Sequence, residues 1–423
     1  TKYDNMDSKI RDLLGECGSN NNFKSVKRFF FEQLLARKHL LSLSSLQETL
    51  MRKLGEIEQN AVLNASERKL LSIVRQLGPI ARSDVTAHSG LSQQSVHRLI
   101  DSLQANGFLR FRPAAIKGRG KPSPIVEINQ DIFVSLGLSC TTERVLACLL
   151  DLKGAPLVEV ELDVRPNDPS AVLDMLEARI EHWKAEELVN RRLIGIGIGM
   201  QGYRTGAADQ FEPPTLLSNW QNLELIPLFQ NRFGLPVFTE NNATACATAE
   251  YYLGGAAEHS CFAYLSFNYG YGAGLYWQNR PIQGGDGNAG EIGSIYRPED
   301  TIHRPALGEL LTRMQADGHA IAHISELPTF FSEELPVISD WVQEVGPYLR
   351  QSIAALKGVL DPTAIFFGGE APSGLRMALI KEVNAVERIV HGPDPLFLAS
   401  DIEGDAAHLG AAFLPLHQLV FGS

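Results

Sequence analysis

Two short polar motifs in this chain of 423 residues carry side chains that could bind a ligand. The first reads Thr239-Glu240-Asn241-Asn242-Ala243-Thr244-Ala245, and the second reads Asn288-Ala289-Gly290-Glu291-Ile292-Gly293-Ser294. An amide both donates and accepts hydrogen bonds, and a carboxylate accepts from two donors at once. Side chains of these types suit polyols, because each can take part in two hydrogen bonds.

Both motifs resemble the sugar-binding signatures of the ROK family (repressors, open reading frames and sugar kinases). The resemblance spans residues 131–423 and is supported by Asn219-Trp220, Gly234-Leu235-Pro236-Val237, Leu360-Asp361-Pro362 and Leu409-Gly410-Ala411-Ala412. It implies an α/β body with the actin-like, two-lobed, ribonuclease H-like fold of the family's sugar kinases. It also implies that a sugar or sugar derivative binds in the cleft between the lobes.

The same resemblance assigns four ligand-binding residues. It implies that Asn241, Asn242 and Glu291 surround sugar hydroxyls, and that Gly202 lines the pocket where the family has a Pro-Gly turn. Structural alternatives stay open at this point. Asn241 would then be a turn residue, and Glu291 would be a carboxylate in a loop or at the start of a helix.

Departures from the family's kinases concern the catalytic base and both phosphate loops. The kinases read Glu-Asn-Asp-Ala at the first motif, where the Asp takes the proton from the sugar hydroxyl. Asn242 stands at that position, and losing a general base typically lowers a rate by ~10²- to 10⁴-fold. The register Gly137-Leu138-Ser139-Cys140-Thr141-Thr142 lacks the Asp and the glycine pair of Asp-x-Gly-Gly-Thr, and Asn268-Tyr269-Gly270 replaces Gly-Thr-Gly. The resemblance therefore implies a cleft that binds a sugar without phosphorylating it, with no catalytic residue.

Neither a metal nor a cofactor is predicted. ROK proteins commonly have a His just after the Gly-Glu-x-Gly motif and a nearby Cys cluster, which together hold tetrahedral zinc. Ser294 occupies the His position, and no cysteine follows Cys261. The five cysteines are scattered and share no CxxC spacing, which favours reduced thiols in a cytoplasmic protein.

Charge is unevenly distributed along the chain. The formal net charge is −11. Residues 64–130 nevertheless contain ten Lys or Arg and four Asp or Glu, a net charge of +6, so the remainder carries −17. A small basic module attached to an acidic body is typical of a regulator with a separate DNA-binding domain.

The basic segment has the pattern of a winged helix-turn-helix domain, predicted over residues 64–130. Three helices are expected: one capped by Ser66 and running to Gln76, one from Arg82 to Ser89, and one from Ser92 through Gln104. Strands at residues 108–112 and 125–128 would flank a basic loop, the wing. The segment resembles the winged-helix domain of ROK repressors.

The predicted DNA contacts fall into two groups. The first group lies on or beside the third helix, the recognition helix, and comprises Arg82, Ser92, Gln93, Gln94, Ser95, His97 and Arg98. Gln and Arg can pair bidentately with base edges in the major groove. The second group lies in the wing loop, where it would neutralise phosphates, and comprises Lys117, Arg119 and Lys121. The alternatives are an ordinary solvated helix face and a mobile charged loop.

The first 63 residues are predicted to form a helical extension that packs on the body, residues 131–423, or on a second subunit. A partner-binding arm is the alternative. No apolar stretch approaches the ~20 residues that cross a bilayer, and the first residues lack an apolar signal region. We therefore expect a cytoplasmic protein without membrane contact.

Together these features predict a sequence-specific DNA-binding transcriptional regulator, with repression as the expected direction. A sugar in a cleft that has lost catalysis would control it. A homodimer or a dimer of dimers would place recognition helices on operator half-sites about 34–36 Å apart, or a multiple of that spacing. Two alternatives remain: a ROK carbohydrate kinase with an appended DNA-binding domain, and a regulator controlled by a protein partner.

Overall fold

The structure is a computed structural model that describes residues 63–112, 124–205, 209–332, 334–386 and 392–422. Residues 63–423 form one compact unit. The predicted helical extension, apart from its last residue, and most of the predicted wing loop lie outside the described residues.

The segment from residue 63 to residue 130, here called the N-terminal module, combines helices with a small antiparallel sheet. Its elements are α1 (Ala65–Leu77), β1 (Ile80–Ala81), α2 (Arg82–Ser89), α3 (Gln93–Ala105), β2 (Leu109–Arg112) and β3 (Ile125–Ile128). The strand order is β1-β3-β2. These bounds agree with the predicted helices and strands to within a residue or two. The winged-helix assignment itself stays a prediction, because the loop joining β2 to β3 is outside the described residues.

Helix α1 begins differently from the prediction. Asn64, not Ser66, is the capping residue: its side chain accepts a hydrogen bond from the backbone N–H of Glu67, and the Glu67 carboxylate accepts from the N–H of Asn64. This reciprocal pair is a capping box, which satisfies two backbone donors at once. The prediction that Ser66 caps the helix was wrong, because Asn64 has Glu67 three residues later to complete the capping box.

The first sheet of the body is mixed. Its strands are β4 (Phe133–Cys140), β5 (Val145–Asp151), β6 (Pro156–Glu161), β7 (Arg192–Met200) and, after a hairpin of β8 (Tyr203–Thr205) and β9 (Gln210–Glu212), β10 (Val237–Asn241). The order is β10-β7-β4-β5-β6, with β4, β7 and β10 parallel. Every residue of the central strand β4 is buried, as expected for a strand covered on both faces.

The second sheet repeats this topology. Its strands are β11 (Cys261–Phe267), β12 (Tyr271–Trp277), β13 (Arg280–Pro281), β14 (Ala364–Gly369) and β15 (Leu396–Ala399). The order is β13-β12-β11-β14-β15, with β11, β14 and β15 parallel. In each sheet the first strand lies at the centre, between the second and the fourth. This duplication confirms the predicted two-lobed, actin-like body.

The helices of the body complete the two lobes. They are α4 (Pro169–Ala185), α5 (Leu225–Phe233), α6 (Asn242–Leu253), α7 (Leu307–Ala316), α8 (Leu327–Phe330), α9 (Pro336–Leu360), α10 (Ser373–Asn384) and α11 (Ala407–Pro415), followed by a π-helix (Leu416–Phe421). Among the described residues, no helix is long and apolar enough to cross a membrane.

Two helices join the lobes at their centre. Helix α6 packs on β11 and β12 of the second sheet, α11 packs on β4, β5 and β7 of the first, and the two helices pack on each other. Their backbones approach so closely that a Cβ atom at Gly410 would lie 1.7 Å from the carbonyl oxygen of Ala245. The packing therefore requires a residue without a side chain at position 410.

We predict that Gly410→Ala lowers the thermal unfolding midpoint of the full chain. Overpacking a buried contact typically costs ~1–3 kcal/mol, and here a backbone carbonyl would have to move. Gly358→Ala is the matched control, because Gly358 lies in α9 with open space around its Cβ position. That control should melt at or slightly above the wild-type temperature, since Ala is the better helix former by ~1 kcal/mol. An unchanged midpoint for Gly410→Ala would contradict the packing described.

Candidate functional site

Strand register brings the first predicted motif to the edge of the first sheet. Asn241, Met200 and Cys140 end the parallel strands β10, β7 and β4, and they lie side by side in the ladder. The residues that follow, Asn242, Gln201 and Thr141, therefore share one edge. Ligands of α/β folds commonly bind outside the carboxyl ends of parallel strands.

Three of the four predicted ligand residues meet at this edge. The side-chain N–H group of Asn241 donates to the Glu291 Oε1 atom at 3.0 Å and to the carbonyl oxygen of Gly202 at 3.0 Å. The Asn241 Oδ1 atom accepts from the backbone N–H of Ala243 and so caps helix α6. Asn241 thus caps helix α6, a structural role that the sequence analysis did not predict, and also contacts both predicted neighbours.

Glycines allow the backbone conformations of the two loops that carry Gly202 and Glu291. Gly202 has a φ of +113°, and a Cβ there would lie 2.2 Å from the carbonyl oxygen of Glu212. Gly290 has a φ of +97°, and a Cβ there would lie 2.0 Å from the carbonyl oxygen of Ala273. Both backbones occupy a region that L side chains avoid. Glu291 therefore reaches Asn241 because Gly290 lets its loop lie against β12.

Asn242, the fourth predicted residue, is buried deeper in the same edge. Its side chain is 3% exposed and donates a hydrogen bond to the carbonyl oxygen of Cys140 at 3.1 Å. Its Oδ1 atom is buried and has no hydrogen-bond partner among the described residues. This oxygen lies against β7, 2.5 Å from where a Cβ atom of Gly199 would be. An amide cannot take up a proton there, whereas an Asp could.

The site is supported by a buried ion pair that the sequence analysis did not predict. Arg204, 9% exposed, contacts the carboxylate of Glu240, 1% exposed, at 3.1 Å. The Glu240 carboxylate also accepts from the backbone N–H of Asn241 at 2.9 Å and from Gln283 at 2.8 Å. Removing one member of such a pair leaves a buried charge without its counterion, which typically costs ~3–5 kcal/mol. Glu240 stands in the first motif, but no pattern in the sequence identified Arg204 as its partner.

A second connection pins the loop that carries Glu291. The Asn288 side chain accepts from the backbone N–H of Arg204 at 2.7 Å and donates to the backbone oxygen of Arg204 at 3.0 Å. Asn288 belongs to the second motif, and Arg204 lies in β8. The two motifs are therefore joined through the β8–β9 hairpin, a relation that the linear sequence does not contain.

Ser294, which stands where the resemblance to ROK proteins implies a zinc-binding His, is exposed. Its hydroxyl is 2.9 Å from the hydroxyl of Tyr203, a residue that is 44% exposed. In the part of the chain that the structure describes, no three His, Cys, Asp or Glu residues form a group that could hold a metal. Tyr203, which carried no signal in the sequence, adds a phenol to this side of the site.

Burial changes the acidity of Glu291. The low-polarity surroundings disfavour its charged form and raise the pKa of Glu291 to about 7. The carboxyl therefore titrates in the neutral range, where the hydrogen bond from Asn241 is available to its charged form. A ligand hydroxyl would meet a stronger acceptor above pH 7 than below it.

A second polar region lies between the carboxyl ends of the two sheets. Arg144, after β4, forms an ion pair with Glu370, after β14, and so bridges the lobes. Glu143 accepts a hydrogen bond from the backbone N–H of Ile324 at 3.0 Å. Burial, followed by the charge of Asp405, raises the pKa of Glu370 to about 7, while Arg144 acts in the opposite direction. This small pocket is lined by Thr141, Thr142, Glu143, Gln201, Asn268, Tyr269, Ile324 and Glu370.

The predicted DNA-contact residues of α3 divide by exposure. Gln93, Gln94 and Arg98 are exposed, whereas Ser92 caps the helix by accepting from the backbone N–H of Ser95 at 3.2 Å. The Arg82 side chain is 14% exposed and contacts the carbonyl oxygen of His97 at 2.5 Å and Asp101 at 2.6 Å. It thereby ties α2 to α3. Lys117, Arg119 and Lys121 lie outside the described residues.

Comparison with known proteins gives matches over the body and beyond it. The chain is 27% identical to the xylose repressor of Bacillus subtilis (strain 168) over 240 residues, which are 56% of this chain and 62% of the repressor. A crystal structure of a ROK family transcriptional regulator, described as a homologue of the E. coli MLC protein, superposes with a TM-score of 0.65 and 23% identity. It covers 84% of this chain and 96% of that one.

The chain also superposes on a ROK family glucokinase from Streptomyces griseus, solved in complex with glucose and AMPPNP, with a TM-score of 0.55 and 23% identity. The match covers 66% of this chain and 98% of the glucokinase chain. At such identities the solved structures establish the fold alone. The family model described as ROK family matches residues 136–418, which is more than half of the chain. The chain therefore belongs to the ROK family.

Proposed function

We propose that the protein is a sequence-specific transcriptional regulator whose affinity for operator DNA is controlled by a sugar in the cleft of the body. The observation that carries this proposal is a direct contact between the N-terminal module and the far end of helix α6. That helix starts at the candidate ligand site.

The contact is centred on Arg75 of α1. Its guanidinium carbon lies 4.1 Å from the ring centre of Tyr252 in α6, 4.9 Å from that of Phe421 and 5.6 Å from that of Phe413. Tyr252 and Phe413 stack with their ring centres 4.3 Å apart. A cation over an aromatic face contributes ~0.5–2 kcal/mol, with the higher values in desolvated settings. Arg75 thus couples the module to α6 and α11 together.

Two hydrogen bonds hold α1 on the carboxyl-terminal π-helix beside Arg75. The Ser72 hydroxyl donates to the carbonyl oxygen of Phe421 at 2.7 Å, and Arg68 donates to that of Gln418 at 3.3 Å. The π-helix directly follows α11. Any displacement of α11 relative to the first sheet would therefore move the surface on which α1 rests.

Helix α6 is short enough to act as a rigid link. Its 12 residues, from Asn242 to Leu253, span about 18 Å at 1.5 Å per residue. The ligand candidates Asn241 and Asn242 stand at one end, and Tyr252 stands at the other. A ligand that favours one position of this helix over another would shift the module, provided that its affinity differs between the two states.

The module's surface supports DNA as the partner. Gln93, Gln94 and Arg98 are exposed on the amino-terminal half of α3, the part of a recognition helix that contacts base edges. The module carries a net charge of +6 in a chain of −11. The regulator structure covers 84% of this chain and the glucokinase 66%, so the regulator's match extends over more of the chain.

Sugar phosphorylation is the competing function, and three features argue against it. Asn242 cannot serve as a base. Glu143 and Glu370 surround the inner pocket with carboxylates. Tyr269 places a bulky ring in the loop where the kinases have Gly-Thr-Gly, and this ring lies against the start of α7, 3.3 Å from where a Cβ of Gly308 would be. We therefore propose a cleft without kinase activity. Sugar-dependent turnover of ATP by the purified chain would support the kinase instead.

The relative named xylose repressor supports a sugar as effector and repression as the direction. We further propose a cytoplasmic homodimer, or a dimer of dimers, whose recognition helices contact half-sites about 34–36 Å apart or a multiple of that spacing. A regulator controlled by a protein partner would show no binding of any sugar.

We predict that Arg75→Leu uncouples the two functions. DNA affinity and sugar affinity should each stay within about threefold of wild type, because Arg75 belongs to neither surface. The change in DNA affinity caused by sugar, which is typically 5- to 150-fold for coupled sites, should fall towards one. Fluorescence anisotropy on DNA selected by the full chain, with and without sugar, measures this ratio. Lys69→Leu, an exposed change on the same helix, is the control. If the Arg75→Leu variant keeps the wild-type ratio of DNA affinities with and without sugar, coupling through Arg75 is excluded.

We predict that Gln94→Ala weakens binding to the selected DNA site by roughly 5- to 150-fold, the equivalent of ~1–3 kcal/mol for a lost bidentate base contact. Binding to random DNA should change little. Arg119→Ala with Lys121→Ala should instead weaken binding to all sequences and flatten the salt dependence, because phosphate contacts release counterions. Gln104→Ala, exposed at the other end of α3, is the control. Equal losses on selected and random DNA for Gln94→Ala would contradict a base contact.

We predict that sugar binding strengthens as the pH rises from 6 to 8. The pKa of Glu291 is about 7, so the carboxylate fraction grows from roughly a tenth to nine tenths over this range. Affinity should rise up to about tenfold, as measured by calorimetry. Glu291→Gln should bind more weakly and with a flat profile. A slope retained in Glu291→Gln would assign the titration to Glu370, and a flat wild-type profile would show that the ligand does not use the carboxylate.

A further inference from the structure

We infer that the inner half of the cleft selects an unphosphorylated effector: a sugar that presents hydrogen-bond donors, either hydroxyl or amino groups, beyond Asn242. This inference rests on the proposed sugar-responsive function and narrows its ligand class. It follows from the charges, and from one unpartnered acceptor, in the pocket at the carboxyl ends of the two sheets.

The charges of the inner pocket are predominantly negative. Glu143 and Glu370 line it, and the buried Asp405 acts electrostatically on both Glu370 and Arg144. Arg144 is the cation in contact with this group, and it already pairs with Glu370 and with Glu161 at 3.7 Å. A phosphate placed here would meet carboxylates on both sides, and like charges in a partly buried site repel strongly.

One side-chain acceptor in the lining of this pocket lacks a donor. Among the described residues, the Oε1 atom of Gln201 is buried without a hydrogen-bond partner. The Thr142 hydroxyl in the same lining is also unpartnered, and a hydroxyl can either donate or accept. A buried acceptor left without a donor typically costs ~1–3 kcal/mol. A hydroxyl or ammonium group would satisfy Gln201, whereas a phosphate dianion carries acceptors alone.

Sheet geometry places this region within reach of the same ligand. Asn242, Gln201 and Thr141 follow three adjacent strands, which lie about 4.8 Å apart in a sheet. A sugar held by Asn241 and Glu291 would therefore extend directly towards Gln201 and the inner carboxylates. Asn241 and Glu291 fix the sugar ring, and the carboxylates of Glu143 and Glu370 decide which substituent of that ring is accepted.

The experiment uses the full chain and a panel of aldoses, ketoses and amino sugars, each paired with its phosphate ester. Examples are D-glucose with D-glucose 6-phosphate and D-glucosamine with D-glucosamine 6-phosphate. Thermal shift identifies the pairs that bind, and calorimetry measures both members. We expect the unphosphorylated member to bind at least tenfold more tightly. A phosphate ester that binds as tightly as its parent sugar, or more tightly, overturns the inference while leaving the regulatory function intact.

Two partners of Arg144 provide a matched pair of variants. Glu370→Gln removes a charge inside the pocket, and Glu161→Gln removes one on the rim, where the side chain is 54% exposed. We expect the preference for the unphosphorylated sugar to fall about tenfold or more in Glu370→Gln and less than twofold in Glu161→Gln. Equal preferences in both variants would contradict the role of Glu370. Absence of binding by every member of the panel would instead remove the sugar-responsive function, and this inference with it.

Discussion

Helices α6 and α11 pack with almost no side-chain volume between their backbones, and the remaining architecture is arranged around this contact. A Cβ at Gly410 would lie 1.7 Å from the carbonyl oxygen of Ala245, and Cβ atoms at Gly137 and Gly197 would lie 1.9 and 1.8 Å from carbonyl oxygens of α11. Each lobe therefore contributes one helix to a shared, tightly fitted centre. Packed helices have few alternative arrangements, so we expect a shift at one end of α6 to be transmitted along the helix rather than absorbed.

The site at the amino-terminal end of α6 depends on buried charge as well as packing. Arg204 and Glu240 fix the end of β10, and Asn288 fixes the loop that carries Glu291. These groups bind one another and the backbone of the neighbouring strands and loops. Their role is to hold two loops from different lobes at hydrogen-bond distance, which a ligand site with directional contacts requires.

The other end of α6 carries the contact with the N-terminal module. Arg75 lies over aromatic rings of α6, α11 and the π-helix. The module therefore rests on the same central helices that position Asn241 and Asn242, the candidate ligand residues. The central helices thus contact both the candidate site and the module, which gives the proposed coupling a physical route.

Residue types and their local spacing were readable from the sequence. Helix and strand positions followed from periodicity and caps, and the motifs around Asn241 and Glu291 named the side chains that meet in the cleft. The cap of α1 was misassigned to Ser66 because several polar residues adjoin the helix start. Which of these residues exchanges hydrogen bonds with Glu67 to form the capping box depends on backbone geometry.

Tertiary structure alone decided which distant residues share a site. Arg204 with Glu240, Arg144 with Glu370, and Arg75 with Tyr252 are pairs whose members stand far apart in the chain and belong to no common motif. Electrostatic and aromatic contacts act over a few ångströms, and the duplication of the sheets, the strand register and the close approach of α6 to α11 set those distances. The sequence by itself therefore determined what chemistry each segment could offer. The fold determined which segments face each other, because only chain packing brings such short-range forces into reach.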